Sequence, residues 1–284
     1  MATRSAVGGS RTNPRDRTTS EPAIGTEPAI GSGTRRPRWR IRRILARTAL
    51  VGAAILVVGT VALWILTPSV NDLQSRVDAV AALHGTSVLR PADIPPLLAQ
   101  AIVATEDERF YQHHGIDVIG LGRAFMFDVT HVCGCQGGST ITQQLVKDLY
   151  LNGTDGGTTK LVDMVLAFKV ELGHSKQTIL ADYLSEVLAG YGVYGMPAAA
   201  CADFGRPLAS LDLGQIAVLA GMPQAPSAYD PRYHPSAAAT RREEVLAAML
   251  SEGYITPRQA AAAATEPVVG QPVVGKPLSG GCQR

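Results

Sequence analysis

The chain has 284 residues, of which 46% are apolar, so it can bury a hydrophobic core. Its net charge of +2 is unevenly distributed, because eleven arginines lie in the first 47 residues. The remaining residues include fifteen basic and twenty-one acidic side chains, a net charge of −6. Nucleic-acid-binding proteins need basic residues on their folded surface to neutralise phosphates, so this distribution argues against nucleic acid as a partner.

The N-terminal region is predicted to be a disordered cytoplasmic tail, residues 1–47, followed by a transmembrane helix, residues 48–66. The first 34 residues have almost no large apolar side chains to offset the entropy cost of ordering. Residues 48–66 are uncharged and match the roughly 20 residues that cross a bilayer. Seven arginines precede them, so the positive-inside rule places everything after Leu66 outside the cytoplasm. A cleaved secretion signal is disfavoured, since no small-residue cleavage site follows Leu66.

The rest of the chain is predicted to contain a stalk, residues 67–91, a helical domain, residues 92–266, and a Pro/Gly-rich tail, residues 267–284. Helix start signals recur along the domain, whereas strand signals are scarce. These start signals are Pro95-Pro96, Asp117, the capping-box pair Thr140 and Gln143, Ser175, Asp212 and Thr256-Pro257. The fold class is therefore mostly α, with one N-terminal transmembrane helix.

Four cysteines, Cys133, Cys135, Cys201 and Cys282, lie in the part predicted to be exported, where disulfides can form. A bond between Cys133 and Cys135 would be strained, so a bond from their loop to Cys201 or Cys282 is favoured. Free buried thiols are the alternative. A zinc site is disfavoured, because the spacings match no common structural zinc site.

Three consecutive carboxylates, Glu106, Asp107 and Glu108, lie near the C-terminal end of a predicted helix. Negative charge there opposes the helix dipole, so helix stability does not explain their position. Taken alone they would be interpreted as a solvated acidic patch, because most carboxylates are surface residues. Their interpretation depends on the other polar segments of the chain.

A second polar segment, residues 136–151, joins a glycine pair to hydroxyl and amide side chains at a helix start. Lys147 follows Gln143 and Gln144 by about one helical turn. A helix N-terminus with free N–H groups, hydroxyls and a cation suits phosphate oxygens. This segment is therefore a candidate phosphate-binding site.

Together these segments resemble the peptidoglycan glycosyltransferases of family 51, found as monofunctional transglycosylases and as the first domain of class A penicillin-binding proteins. Motif one, ED-x-x-F-x-x-H-x-G, is matched by Glu106, Asp107, Phe110, His113 and Gly115. Motif two, G-x-STITQQ, is matched by Gly137 and by Ser139 to Gln144. Motif four corresponds to residues 176–185, and motif five is matched by Arg241, Arg242, Val245 and Leu246. The resemblance covers nearly all of residues 92–264.

The sequence departs from the family pattern at several positions. Motif three, RK-x-x-E, corresponds to residues 159–163, with Thr159 in place of arginine and Asp163 in place of glutamate. Motif four ends in Ser185 instead of asparagine, and Asp148 follows Lys147 where asparagine is usual. These departures motivate an alternative function, a catalytically weakened lipid II-binding or scaffold protein of the wall-synthesis machinery.

The resemblance implies a lysozyme-like helical domain that polymerises lipid II with inversion and releases polyprenyl diphosphate. It implies that Glu106 is the general base and that Asp163 is the second catalytic carboxylate, near the diphosphate directly or through a metal. No cofactor is expected to be required, with Mg²⁺ or another divalent cation at Asp163 left open. The residues implied in substrate binding are Asp107, Phe110, His113, Ser139, Thr142, Gln143, Gln144, Lys147 and Lys160.

The implied partners are lipid II, the growing glycan, the membrane, and transpeptidase, divisome or elongasome proteins. The transpeptidase motifs S-x-x-K and K-T-G do not occur in the sequence, so a monofunctional enzyme of cell-wall biogenesis at the cell membrane is expected. A lysozyme-type hydrolase is a further alternative. It is disfavoured because a hydrolase needs neither lysines around a diphosphate nor a membrane anchor.

Overall fold

The computed structural model describes residues 38–131, 138–154 and 156–269 and residue 282. These residues form eleven α-helices and no named strand, apart from one isolated bridge between Leu188 and Tyr194. The prediction of a mostly α, lysozyme-like domain with an apolar N-terminal helix is confirmed. The helices are α1 (Arg38–Leu66), α2 (Leu73–His84), α3 (Pro96–Glu106), α4 (Val118–His131), α5 (Ile141–Leu151), α6 (Thr159–Gly173), α7 (Lys176–Glu186), α8 (Met196–Phe204), α9 (Leu213–Gly221), α10 (Pro235–Ser251) and α11 (Pro257–Ala264).

Helix α1 is longer than the predicted transmembrane helix, because it begins at Arg38 within the arginine-rich segment. Its stretch Ile41–Leu66 is long and apolar enough to cross a bilayer, and none of the most apolar part is buried inside the protein. The first part of α1 belongs to one structural unit, and the chain from Ile55 onward belongs to a second, larger unit.

Helix α9 lies at the centre of the larger unit and contacts α3, α8, α10 and α11. Its sequence, LGQIAVLAG, is apolar on nearly all sides, which is typical of a helix surrounded by other helices. Helix α5 contacts α6 and α7 and buries Ile141, Leu145 and Val146 against them. The core therefore positions the C-terminal end of α3 and the N-terminal end of α5, the two segments that carry motifs one and two.

The segment predicted to be a stalk, residues 67–91, is part of the packed domain. It contains α2, whose Leu73, Val77 and Ala81 are buried. Their spacing of four residues places them on one face, and this face packs against α7 and α5. The helical domain therefore begins before residue 92. Helix α8 was also absent from the predicted elements.

The predicted capping signals are confirmed by side-chain hydrogen bonds. At the start of α5, the Gln143 N–H donates to Thr140 Oγ1, and the Thr140 N–H donates to Gln143 Oε1, both at 3.1 Å. Ser175, Asp212 and Thr256 accept hydrogen bonds in the same way from the first turns of α7, α9 and α11. Each cap satisfies an N–H group that the helix leaves unpaired.

The disulfide pairing differs from the prediction. Cys201 of α8 is bonded to Cys282, so the predicted bond from either of them to the loop of Cys133 and Cys135 is wrong. The loop cysteines lie outside the described residues. The bond joins α8 to the predicted Pro/Gly-rich tail.

Two carboxyl groups of α7, those of Asp182 and Glu186, are almost fully buried. Asp182 Oδ2 and Glu186 Oε1 have no hydrogen-bond partner among the described residues. Burial raises the pKa of Asp182 to about 6, and the nearby charge of Asp78 raises it further. Burial also raises the pKa of Glu186 well above its ordinary value. Both groups therefore oppose folding when they are ionised.

We expect Asp182→Asn to stabilise the protein at about pH 7.5 and not at about pH 4. The folded-state pKa of about 6 exceeds the ordinary value of 3.8, so the folded state binds the proton more tightly and stability falls as pH rises through this window. The shift corresponds to at most about 3 kcal/mol. Urea unfolding of parent and variant at both pH values measures the difference. The exposed Glu243→Gln is the control, and an equal effect of Asp182→Asn at both pH values would contradict the interpretation.

Candidate active site

Motifs one and two meet at a cavity of about 480 Å³. Its walls come from the C-terminal end of α3, the first half of α4, the segment before α5, and α10. The polar side chains that line it include Glu106, Glu108, Asp117, Ser139, Gln224 and Arg241. The acidic residues of motif one therefore border a polar cavity that is partly open to solvent.

The carboxylate of Glu106 is 9% exposed and is held by two side chains. Gln144 Nε2 donates to Glu106 Oε2 at 2.8 Å, and Arg241 Nη2 lies 3.8 Å from Oε1. The Tyr183 hydroxyl donates to Gln144 Oε1 at 3.1 Å and so fixes the orientation of the amide. Oε2 is thus engaged, whereas Oε1 has a charged neighbour beyond hydrogen-bond distance.

Burial raises the pKa of Glu106 above its ordinary value. The Gln144 hydrogen bond and the positive charges of Arg241 and Lys147 oppose this rise, and the charge of Asp107 adds to it. A carboxylate with a raised pKa is a stronger base than an exposed one. The environment of Glu106 therefore suits proton abstraction.

Asp107 joins motif one to motif two within the protein. Its Oδ2 accepts a hydrogen bond from the Ile141 N–H at 3.1 Å, at the first residue of α5. His113 Nε2 lies 2.9 Å from Oδ1 and 3.1 Å from Oδ2. Both side chains are buried. Asp107 therefore joins His113 to the start of α5 and also lines the cavity, and the predicted substrate contacts of Asp107 and His113 stay predictions.

Phe110 and Thr142 lie away from the cavity. The ring of Phe110 is fully buried and packs under Lys176, whose Nζ is 4.3 Å from the ring centroid. Thr142 is also buried, and its hydroxyl donates to Glu171 Oε1 at 2.6 Å. Glu171 pairs in turn with Lys176 at 2.7 Å. The side chains of Phe110 and Thr142 are buried in the core, and their predicted substrate contacts stay predictions.

The residues of motif three are tied to those of motif two. Lys160, in the first turn of α6, donates from Nζ to Ser139 Oγ at 2.8 Å and lies 3.2 Å from Asp163 Oδ2. Gln143 Nε2 donates to Asp163 Oδ1 at 2.9 Å. Because Ser139 also lines the cavity, the ammonium group of Lys160 lies next to the space that Glu106 borders.

Lys147 is half-buried on α5, and its charge lowers the pKa of Glu106. Thr159, which stands where the family has arginine, donates its hydroxyl to the Gly156 carbonyl at 2.5 Å. Thr159 therefore closes the turn before α6 and does not supply a cation.

Protein side chains contact the carboxylate of Asp163, and a divalent cation there stays an open prediction. Both carboxylate oxygens are engaged, by Gln143 and by Lys160, and the Lys160 ammonium takes the adjacent cationic position. No group of three or more His, Cys, Asp or Glu side chains among the described residues could hold a metal ion.

Sequence reasoning missed two residues of the site, Arg241 and Tyr183. Tyr183 belongs to motif four and Arg241 to motif five. The packing of α7 brings Tyr183 to Gln144, and the packing of α10 brings Arg241 to Glu106. The neighbouring Arg242 points elsewhere and donates to the carbonyls of Ala264 and Glu266 at the end of α11. Motif membership alone does not distinguish these two arginines.

A protein-family model described as Transglycosylase matches residues 76–250. The chain belongs to the transglycosylase family. The match confirms the resemblance to family 51 glycosyltransferases, and this transglycosylase is accordingly a glycosyltransferase enzyme. The match begins within α2, in agreement with the packing of that helix in the domain.

Two curated relatives illustrate the similarity. Penicillin-binding protein 1A of Haemophilus influenzae is 43% identical over 178 residues, which cover 63% of this transglycosylase and 21% of the relative. Penicillin-binding protein 1A of Escherichia coli is 42% identical over 175 residues, which cover 62% and 21%. A crystal structure of the H. influenzae protein matches 66% of this chain and 18% of that chain, with 27% identity and a TM-score of 0.41. This transglycosylase spans about a fifth of the length of these relatives.

We expect Arg241→Gln to move the acid limb of the pH–rate profile to higher pH. Removing the guanidinium removes a charge that lowers the pKa of Glu106, so the carboxylate is protonated at a higher pH. The measurement is the initial rate of glycan polymerisation between about pH 4 and pH 8. Arg242→Gln is the matched control, and its profile should keep the parent's midpoint. An unshifted midpoint in Arg241→Gln would exclude Arg241 as a neighbour that tunes Glu106.

Proposed function

We propose that the chain is a peptidoglycan glycosyltransferase that polymerises lipid II into glycan strands and releases polyprenyl diphosphate. The observation that supports this most directly is the buried carboxylate of Glu106 on a polar cavity whose wall also holds Ser139, the partner of Lys160. The Glu106 carboxylate thus borders the cavity, and the Lys160 ammonium lies next to it. The 284 residues contain no S-x-x-K or K-T-G motif, so no transpeptidase reaction is proposed for them.

Glu106 acts as general base on the 4-hydroxyl of the acceptor sugar. Its Oε1 accepts the proton, because Gln144 already occupies Oε2 and Arg241 lies 3.8 Å from Oε1. The acceptor oxygen attacks the anomeric carbon of the donor, the bond to the diphosphate breaks, and the configuration inverts. The raised pKa of Glu106 favours this proton transfer near neutral pH.

Lys160 and Lys147 bind the departing diphosphate, on which negative charge grows as the bond breaks. Lys160 is oriented by Asp163 and Ser139, so Asp163 acts through Lys160 and Gln143 as a positioning residue. Gln144 holds Glu106, and Ser139 is available to sugar or phosphate oxygens.

The proposed location is the cell membrane, with one spanning helix, residues 1–47 in the cytoplasm and the helical domain outside. The arginines before the apolar stretch of α1 and its length support this orientation. Lipid II, the growing glycan and the bilayer are the proposed partners, together with transpeptidases or other wall-synthesis proteins.

The departure at Ser185 does not weaken this proposal. Ser185 is fully buried, donates to the Ala181 carbonyl at 2.6 Å and accepts from the Leu89 N–H at 2.8 Å. It joins α7 to the segment before α3 and does not line the cavity. The motivation for a non-catalytic lipid II-binding protein is reduced accordingly.

We expect Glu106→Gln to lose about 100-fold or more of the polymerisation rate, the usual contribution of a general base, while it keeps lipid II binding. The measurement is the initial rate of glycan formation from purified lipid II by the detergent-solubilised protein. Glu108→Gln is the matched control, since Glu108 also borders the cavity but pairs with Arg123 at 2.5 Å. Background-level product from both the parent and Glu106→Gln would support the non-catalytic binding function.

We expect Lys160→Met to weaken lipid II binding by roughly 10- to 100-fold, because a hydrogen bond to a charged group contributes about 1.5–3 kcal/mol. Binding is measured by titration in the Glu106→Gln background, so that turnover does not interfere. Arg90→Met serves as the control, since Arg90 is exposed and pairs with Asp93. Equal lipid II affinities for Glu106→Gln alone and for Glu106→Gln combined with Lys160→Met or with Arg90→Met would show that the diphosphate binds elsewhere.

A further inference from the structure

A lysine of α6 closes the C-terminal end of α1. Lys169 Nζ lies 2.9 Å from the Trp64 carbonyl, 2.9 Å from the Thr67 carbonyl, 3.1 Å from the Pro68 carbonyl and 2.7 Å from Thr67 Oγ1. No carboxylate among the described residues pairs with it. The three N–H groups of the ammonium are thus directed at one turn of backbone where a helix ends.

The end of α1 needs such a group. The last carbonyls of a helix have no partner within the helix and carry partial negative charge, so a cation stabilises them. Helix α1 has no basic residue in its own last turn. The requirement is stronger near hydrocarbon, where water is scarce and an unpaired carbonyl is costly. Lys169 supplies from another helix the cap that α1 lacks.

The ring of Trp64 is held by the same pair of α6 residues. Lys169 Nζ lies 4.9 Å from the centroid of the Trp64 ring, a cation–π distance. Phe168 meets Trp64 edge to face, with ring centroids 6.2 Å apart. Backbone and side chain of the α1 end are therefore both bound to residues 168 and 169.

The opposite end of α6 carries Lys160 and Asp163. Nine residues separate Lys160 from Lys169, which corresponds to about 13.5 Å along the helix axis. A helix of this length is rigid, so the cation proposed to bind diphosphate and the cation that caps α1 stand at a set distance.

We propose that Lys169 is a positioning residue that fastens the end of the membrane helix to α6 and so sets the depth at which Lys160 meets a membrane-bound substrate. This inference rests on the proposed function. A lipid-linked diphosphate stays at the level of the bilayer surface, so a binding group must be held at that level. Without the cap, the site stays intact, but its depth relative to the bilayer surface varies.

The first test uses fluorescence and needs no substrate. The protein has two tryptophans, so Trp39→Phe leaves Trp64 as the single reporter. In vesicles, Lys169→Met, which keeps the apolar stem and removes the donors, should lower the anisotropy of Trp64 emission and change its quenching by lipids labelled at defined depths. Lys169→Arg, which can donate to the same carbonyls, should restore both signals. Lys169→Gln serves if the methionine variant does not fold. Signals equal to the parent's in these variants would overturn the proposal.

The second test separates binding of a membrane substrate from chemistry. Lys169→Met should raise KM for lipid II in vesicles about tenfold, the effect expected when the Lys160 ammonium no longer reaches the diphosphate, and leave kcat within about twofold. A water-soluble, short-chain analogue of lipid II should be polymerised at the parent's rate. Equal losses on both substrates would overturn the depth-setting role. If the Lys169 variants change the Trp64 signals but the parent polymerises neither substrate, the cap is supported and the proposed function is refuted.

Discussion

The candidate site depends on the carboxylate of Asp107, which is buried between two segments far apart in the chain. It accepts the first N–H of α5 and contacts His113 Nε2, so it satisfies an unpaired helix-start donor and one nitrogen of a buried imidazole. A charge at this depth is stable only with such partners, and a helix N-terminus is a favourable one. Because Asp107 bonds the end of α3 to the start of α5, Gln144 Nε2 lies 2.8 Å from Glu106 Oε2.

The same arrangement explains how a family motif can hold residues with different tasks. Glu106 and Asp107 both line the cavity, but the Asp107 carboxylate is bonded to His113 and to the start of α5. Thr142 and Gln143 bind carboxylates of α6, at Glu171 and Asp163, and so brace α6 against α5. The brace holds Lys160 beside Ser139. Much of what the motifs encode is therefore the relative position of three helices.

Much of the fold could be predicted from the sequence, because capping residues such as Thr140, Ser175 and Asp212 mark where helices begin. The apolar face of α2 was missed, since three residues four apart, one of them an alanine, give a weak signal beside a long apolar helix. The site residues could be named from motifs, but sequence does not say which way a side chain points. The side chains of Phe110 and Thr142, for example, are buried away from the cavity. Arg241 and the partner of Cys201 depend on contacts between distant segments, which local patterns do not contain.

The bond between Cys201 and Cys282 has a consequence for the durability of the site. It spans 81 residues and encloses α9 and α10, the helices that support and supply Arg241. In the chain-entropy model, closing a loop of this size destabilises the unfolded state by about 4.5 kcal/mol. The bond therefore stabilises the folded domain as a whole, the cavity included. A reductant would lower that stability without touching Glu106 or any other group that lines the cavity.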